Sequence, residues 1–256
     1  MAGPVARSIE LRAARFHQDF RDGRRSDRGQ WTYGRFAPDE QAERRQSNER
    51  VERALYAQPA LLEKALAELT PGDPSRVEMY LLAVAGDGQQ EVFRREVEFV
   101  HKQFDAEFGT RGRSVALVNS RSTVDDRPMA TVTSMRRALD AVASKMNREQ
   151  DILFLFMTSH GSSTHEFSLG LRGMDLPPLT PKDLQAMLAA SGIRWKVVVV
   201  SACYAGGYID PLKNDHTLVI AAARHDRKSF GCADENDFTY FGRAFFKEAL
   251  PKSTSF

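Results

Sequence analysis

Only two cysteines, Cys203 and Cys232, occur among the 256 residues of this chain. Such a count fits a reducing compartment, or a protein that does not depend on disulfides. No C-x-x-C pair is present for redox work or zinc, and His165-Glu166 lacks the second histidine of H-E-x-x-H. A phosphatase loop of the C-x5-R type is also missing, because Ile209 stands where its arginine is required. Gly86-Asp-Gly88 hints at a dinucleotide loop, but Glu91 occupies the place of the third glycine. No run approaches the roughly 20 apolar residues that span a bilayer. The first residues, Met1-Ala-Gly-Pro-Val-Ala, show no basic segment followed by an apolar one, so no signal peptide is visible. Excess charge of one sign is lacking too: the formal net charge is +2, which does not suggest nucleic acid as a partner. Internal repeats and low-complexity tracts are absent. What is present, 42% hydrophobic residues, is enough for one large α/β domain with an appendage or for two small domains.

Residues 1 to about 50 are polar and arginine-rich, with no lysine before Lys64. Their aromatics (Phe16, Phe20, Trp31, Tyr33, Phe36) suggest an arm that docks on the following domain; its arginines read first as a solvated face of mixed charge, and second as suited to an acidic surface or lipid headgroups. From about 40 to 69, Val51, Leu55, Leu62, Leu66 and Leu69 recur at helical spacing, and Pro71-Gly-Asp-Pro74 ends that helix. Thereafter strands and helices alternate. Strands are expected at 77–85 and 114–119, in the apolar runs that lead to His160 and to Cys203, and at 167–171 and 217–223. Helices are expected at 89–108, at 131–147 capped by Thr131, from Thr180-Pro181 to Gly192, and at 238–250. The rhythm predicts a mostly parallel sheet with helices on both faces, and a division into an N-terminal extension (1–74) and an α/β domain (75–256).

Two of these strands carry chemistry. Ile152-Leu-Phe-Leu-Phe-Met-Thr-Ser-His160-Gly161 and Trp195-Lys-Val-Val-Val-Val-Ser-Ala-Cys203-Tyr-Ala-Gly206-Gly207 each join an unalternating apolar run to a reactive side chain and a glycine. Such runs suit strands buried on both faces, and in open α/β sheets the site gathers beyond their carboxyl ends. A thiol has an ordinary pKa of ~8.5 that a nearby imidazole lowers, and the thiolate is the nucleophile. The pair therefore suits acyl transfer: His160 takes or holds the thiol proton, Cys203 attacks a carbonyl, and a thioester forms. Backbone N–H groups at Gly161 and Cys203 are candidate oxyanion donors; losing one such donor costs ~10²–10³ in turnover elsewhere. A structural role is the alternative for each residue alone, since free cysteines are often simply buried. Cys232 lies in a loop and reads as structural, and His165 and His225 are lesser candidates for the base.

The two motifs, each after an apolar strand, resemble those of the C13 (legumain-like) cysteine peptidases of the caspase-hemoglobinase clan, with bacterial members the most similar. The resemblance runs from about Val77 to Leu250. It implies a caspase-like three-layer α/β fold and a catalytic dyad of Cys203 and His160, with Gly161 as oxyanion donor. Ser201, Ser229 and Arg243 are then expected at the substrate site. The pocket departs from the family pattern: Ser201 stands where an acidic residue precedes the nucleophile by two, and Tyr240-Phe-Gly-Arg243 ends in arginine instead of aspartate. An inward Arg243 would favour an acidic or C-terminal group. Asp87 is the candidate for the group that steadies the histidine. Family catalytic domains usually continue beyond a point equivalent to Phe256, which suggests a truncated or short member.

The expectation is thus a cysteine endopeptidase acting on peptides or proteins, with no metal or organic cofactor. A catalytically silent peptide-binding module and a transpeptidase or ligase using the same thioester are the alternatives. Cytoplasm is the default compartment, with membrane association through segments outside this domain, as in bacterial relatives.

Overall fold

The computed structural model of the protein describes residues 38–171 and 174–253; the arm with Phe16, Phe20, Trp31, Tyr33 and Phe36 lies outside the described residues. The chain divides into two units, Met1–Arg44 and Arg45–Phe256. Helix α1 (Pro38–Ala67) ends before the Pro71–Pro74 breaker, as its spacing predicts. Along it Ala54 and Leu62 are buried, while Leu55 is exposed. The inner face is completed by a polar group: Gln58 donates to the carbonyls of Val124 and Arg127 and accepts from Met129 N–H.

Five strands form the central sheet: β1 (Met79–Ala85), β2 (Ser114–Val118), β3 (Ile152–Thr158), β6 (Trp195–Ser201) and β7 (Thr217–Ala221). Their order is β2-β1-β3-β6-β7, and every pairing is parallel. Strands β4 (Gly170–Leu171) and β5 (Met174–Asp175) make a separate short antiparallel pair, where the sequence predicts one strand over 167–171. Phe167 instead bridges to Gly161 and Leu179.

Because side chains alternate along a strand, each strand feeds both layers. One layer packs Leu82, Val84, Leu155 and Val198 against α1, α3 (Val132–Lys145) and α4 (Pro181–Ser191). The other packs Leu81, Phe154, Phe156 and Val199 against α2 (Glu91–Glu107) and Phe246. The architecture is a three-layer α/β fold. Local signals explain the helix ends: Thr131 and Thr180 both cap through their hydroxyls, Pro181 opens α4, and Gly192 closes it with φ +66°. The last segment differs from the regular helix its composition predicts. A single helical turn, α5 (Tyr240–Gly242), widens into a π-helix over Arg243–Ala249. Phe246 is thereby fully buried, with its ring 4.6 Å from that of Phe156, while Phe241 stacks on Phe245.

Strand order fixes where a site forms. From β1 the chain crosses through α2 to β2 at one side, then through α3 on the opposite face to β3 at the other side. In open α/β sheets such a reversal, here between β1 and β3, marks the end at which sites gather.

Candidate active site

Strands β3 and β6 are paired in register from Ile152↔Trp195 to Thr158↔Ser201. His160 and Cys203 each lie two residues beyond that last pair. With a side-chain period of two, Phe154, Phe156, Thr158 and His160 point to one face, and Val197, Val199, Ser201 and Cys203 point to the same one. It is the layer of α2, and contacts bear this out: the Phe93 ring of α2 meets the His160 imidazole edge-on, with centroids 5.1 Å apart. The imidazole and the thiol thus leave neighbouring strands at one level and on one side.

Beyond the strands, the two turns touch. Ser159 N–H donates to the Ser201 carbonyl at 3.1 Å, extending the pairing by one bond. At Gly161 the backbones close further: a Cβ there would overlap the carbonyl oxygen of Cys203 and press on Ala202. Only glycine allows this approach, and the reason is space, since Gly161 is not among the residues with positive φ. Cys203 is half-buried, and its Sγ donates to the Ser229 carbonyl at 3.7 Å. The Ser229 carbonyl therefore sits directly against the thiol.

The other expected residues fall in different places. Ser201 is buried, with Oγ 3.2 Å from Thr239 Oγ1. Arg243 is exposed at the start of the π-helix, its N–H bonded to the Thr239 carbonyl. Asp87 is buried and accepts from Ser168 Oγ at 2.9 Å. Ser168 N–H in turn donates to the His160 carbonyl, so Asp87 reaches the backbone of that turn through one intermediary. Gly86 and Gly88 pack against Ser168, Phe167, Leu171 and Asn119, so Gly86-Asp-Gly88 serves close packing. His165 lies behind the nucleophile turn. Its Nδ1 donates to the Tyr204 carbonyl at 3.1 Å, and its ring fills the space that Gly207 leaves free. His165 (φ +65°) and Tyr204 (φ +56°) are the non-glycine residues of positive φ among those described, so backbone strain concentrates beside Cys203.

Two titrating groups sit under the site. Cys232 packs against the α2 layer, and burial, followed by the nearby Cys203 and Glu96, pushes its thiol up to about 11. It stays protonated at neutral pH and is a poor nucleophile. Glu96 of α2 is fully buried and accepts from Thr158 Oγ1 and Thr239 Oγ1. Burial raises its carboxyl to about 7, against the opposing pull of those two hydroxyls. Sequence reasoning passed Glu96 over, although a signal existed: it stands on the buried stripe of α2 with Val92, Phe93, Val97 and Val100.

Among the described residues, no cluster of His, Cys, Asp and Glu could hold a metal ion, and no helix is long and apolar enough to cross a membrane. The arrangement offers a thiol, an imidazole and a tight backbone turn beyond the carboxyl ends of β3 and β6.

No curated protein sequence matches this chain. Among solved structures, the crystal structure of caspase-1 from Spodoptera frugiperda is similar at 12% identity and a TM-score of 0.47, over 69% of each chain. A family model does match, and the span it covers contains both motifs, His160-Gly161 and Cys203. Over residues 140–255, the chain matches the Peptidase C13 family.

Proposed function

We propose that this protein is a cysteine endopeptidase of the legumain-like type, with Cys203 as nucleophile and His160 as general base. The observation that carries the reading is the in-register delivery of both side chains, from β3 and β6, to one face of the sheet. The match to the C13 family over the same residues supports it. His160 accepts the thiol proton, Sγ bonds to the substrate carbonyl carbon, and the amine leaves with a proton returned by the imidazolium. Water then releases the acyl group from the thioester. Backbone N–H groups at Gly161 and Cys203 receive the oxyanion. The peptidase domain is assigned to residues 75–256, with 1–74 as its extension. Ser201, Ser229 and Arg243 are assigned to the substrate site, a reading supported for Ser229 by its contact with the thiol.

A silent binding module is the second reading, favoured by the thiol hydrogen bond to Ser229, which holds Sγ on a carbonyl in place of the base. Site-resolved alkylation by iodoacetamide separates the two. On the enzyme reading Cys203 reacts rapidly at neutral pH, and His160→Ala slows it at least about tenfold. Equal rates in both proteins would remove the activated dyad and leave the binding module.

A further inference from the structure

Resting on the peptidase reading, a further role can be assigned to a residue that touches neither the thiol nor the solvent. Glu96 lies on the inner face of α2, 0% exposed. One carboxyl oxygen accepts from Thr158 Oγ1 at 2.5 Å, the other from Thr239 Oγ1 at 2.7 Å. Thr158 is the last residue of β3, two before His160. Thr239 Oγ1 is 3.2 Å from the hydroxyl of Ser201, the last residue of β6 and two before Cys203. The same Thr239 hydroxyl accepts from Gly242 N–H and so starts α5. Gly242 has no side chain to spare there, because a Cβ would overlap the Glu96 carboxyl. One buried carboxyl thereby ties together the end of the base strand, the end of the nucleophile strand and the segment leading to Arg243.

Burying a carboxyl whose partners are hydroxyls and not cations is unfavourable, and an apolar residue on this stripe would pack at less cost. A local choice that works against stability is expected where function requires it. The neighbouring geometry points the same way. Phe93, one helical turn before Glu96, packs edge-on against the His160 ring, so α2 touches the base directly and its strand end through Glu96. At position 201 the resemblance leads one to expect an acidic side chain. Here a carboxyl enters the same neighbourhood from another element, separated from Ser201 by one hydroxyl.

We propose that Glu96 is the positioning residue of the dyad: clamped between Thr158 and Thr239, its carboxyl locks the ends of β3 and β6 from beneath, so that His160 and Cys203 meet at working distance. It does not contact substrate, and its removal acts on turnover and not on substrate affinity.

The test combines peptide cleavage with a double-mutant cycle on Cys203 alkylation by iodoacetamide, read by mass spectrometry so that Cys232 is scored separately. Glu96→Gln keeps the shape but can accept through only one of the two positions. We expect kcat to fall about 10- to 100-fold with KM within about twofold. In the cycle, His160→Ala slows alkylation strongly in the wild-type background and at most about twofold in the Glu96→Gln background. Thr239→Val, near-isosteric, reproduces part of the kcat loss, and Thr239→Ser restores most of it. Full kcat in folded Glu96→Gln, or an undiminished His160→Ala effect in that background, would overturn the proposal. So would a loss expressed in KM alone. Should Glu96→Gln fail to fold, the Thr239 pair decides, and equal kcat for Thr239→Val and wild type overturns the proposal. Failure of the peptidase reading looks different: His160→Ala then leaves alkylation unchanged in the wild-type background itself.

Discussion

Gly161 and Cys203 are in backbone contact: the α-carbon of Gly161 faces the carbonyl oxygen of Cys203, with no room for a methyl group between them. The two turns are thus one unit, and their spacing is set by main chain. Replacing Gly161 with alanine inserts a methyl into a packed backbone contact, which costs about 1–3 kcal/mol where the neighbours cannot yield. Here the neighbours belong to the turn that carries the nucleophile. Gly161→Ala is expected to lower the melting temperature by several degrees and kcat/KM by about 100-fold or more. Wild-type kcat/KM in the variant would show that the contact is incidental to the chemistry.

His160 and His165 have different surroundings. The His160 imidazole shares the face of the thiol, whereas His165 spends its Nδ1 proton on the Tyr204 carbonyl and packs against Gly207. Loss of a general base typically removes 10²–10⁴ in rate. His160→Ala is therefore expected to lose about 10³-fold in kcat/KM, and His165→Ala no more than about tenfold, by loosening the turn. A larger loss for His165→Ala would transfer the role of base to that residue.

Stability should carry the signature of the buried carboxyl. Glu96 ionises near 4.5 when exposed and near 7 in the fold. Its native pKa is raised, so its favourable contribution is complete below about pH 4.5 and is lost as pH rises through about 7. The shift corresponds to at most about 3 kcal/mol. Cys232, the titrating group that faces it, rises to about 11 and stays neutral over this range. Denaturant unfolding at pH 5 and pH 8 should show a smaller fall for Glu96→Gln than for the wild type. Identical falls would mean that Glu96 does not ionise in this window.

The edge contact between Phe93 and His160 gives another handle. Phe93→Leu keeps the site apolar but removes the ring edge that orients the imidazole. A drop in kcat of about tenfold, with KM little changed, is expected from single-turnover and steady-state cleavage. An unchanged kcat would leave orientation of the base to the β3 turn alone.

How far the sequence foretold this picture depends on what kind of signal each feature leaves. The strands of His160 and Cys203 are legible because a run such as Lys196-Val-Val-Val-Val-Ser201 has few other uses. The same uniformity hides which face each side chain takes, since a strand buried on both sides shows no alternation. Only the Thr158↔Ser201 register puts His160 and Cys203 at one level, each two residues beyond the last pair. Caps were readable at Thr131 and Thr180 because their chemistry is local. The C-terminal helix is readable too, but its widening is not, because Phe246 meets Phe156, a contact between residues far apart in the chain. Ser201 was legible as a residue of the nucleophile strand. Its burial against Thr239 was not, since Thr239 arrives from a loop. Glu96 falls between these cases: its place on an apolar stripe can be read, but its two threonine partners come from distant segments.

Cleavage of a fluorogenic peptide library, varied at the residue before the scissile bond, tests the central claim most directly, with Cys203→Ala as control. The account predicts cleavage that requires Cys203, in the range of about pH 4 to 8 where a histidine-paired thiol works. The preferred residue would test the assignment of Ser229 and Arg243 to the substrate site. Absence of cleavage across that range, or cleavage that survives Cys203→Ala, would contradict it.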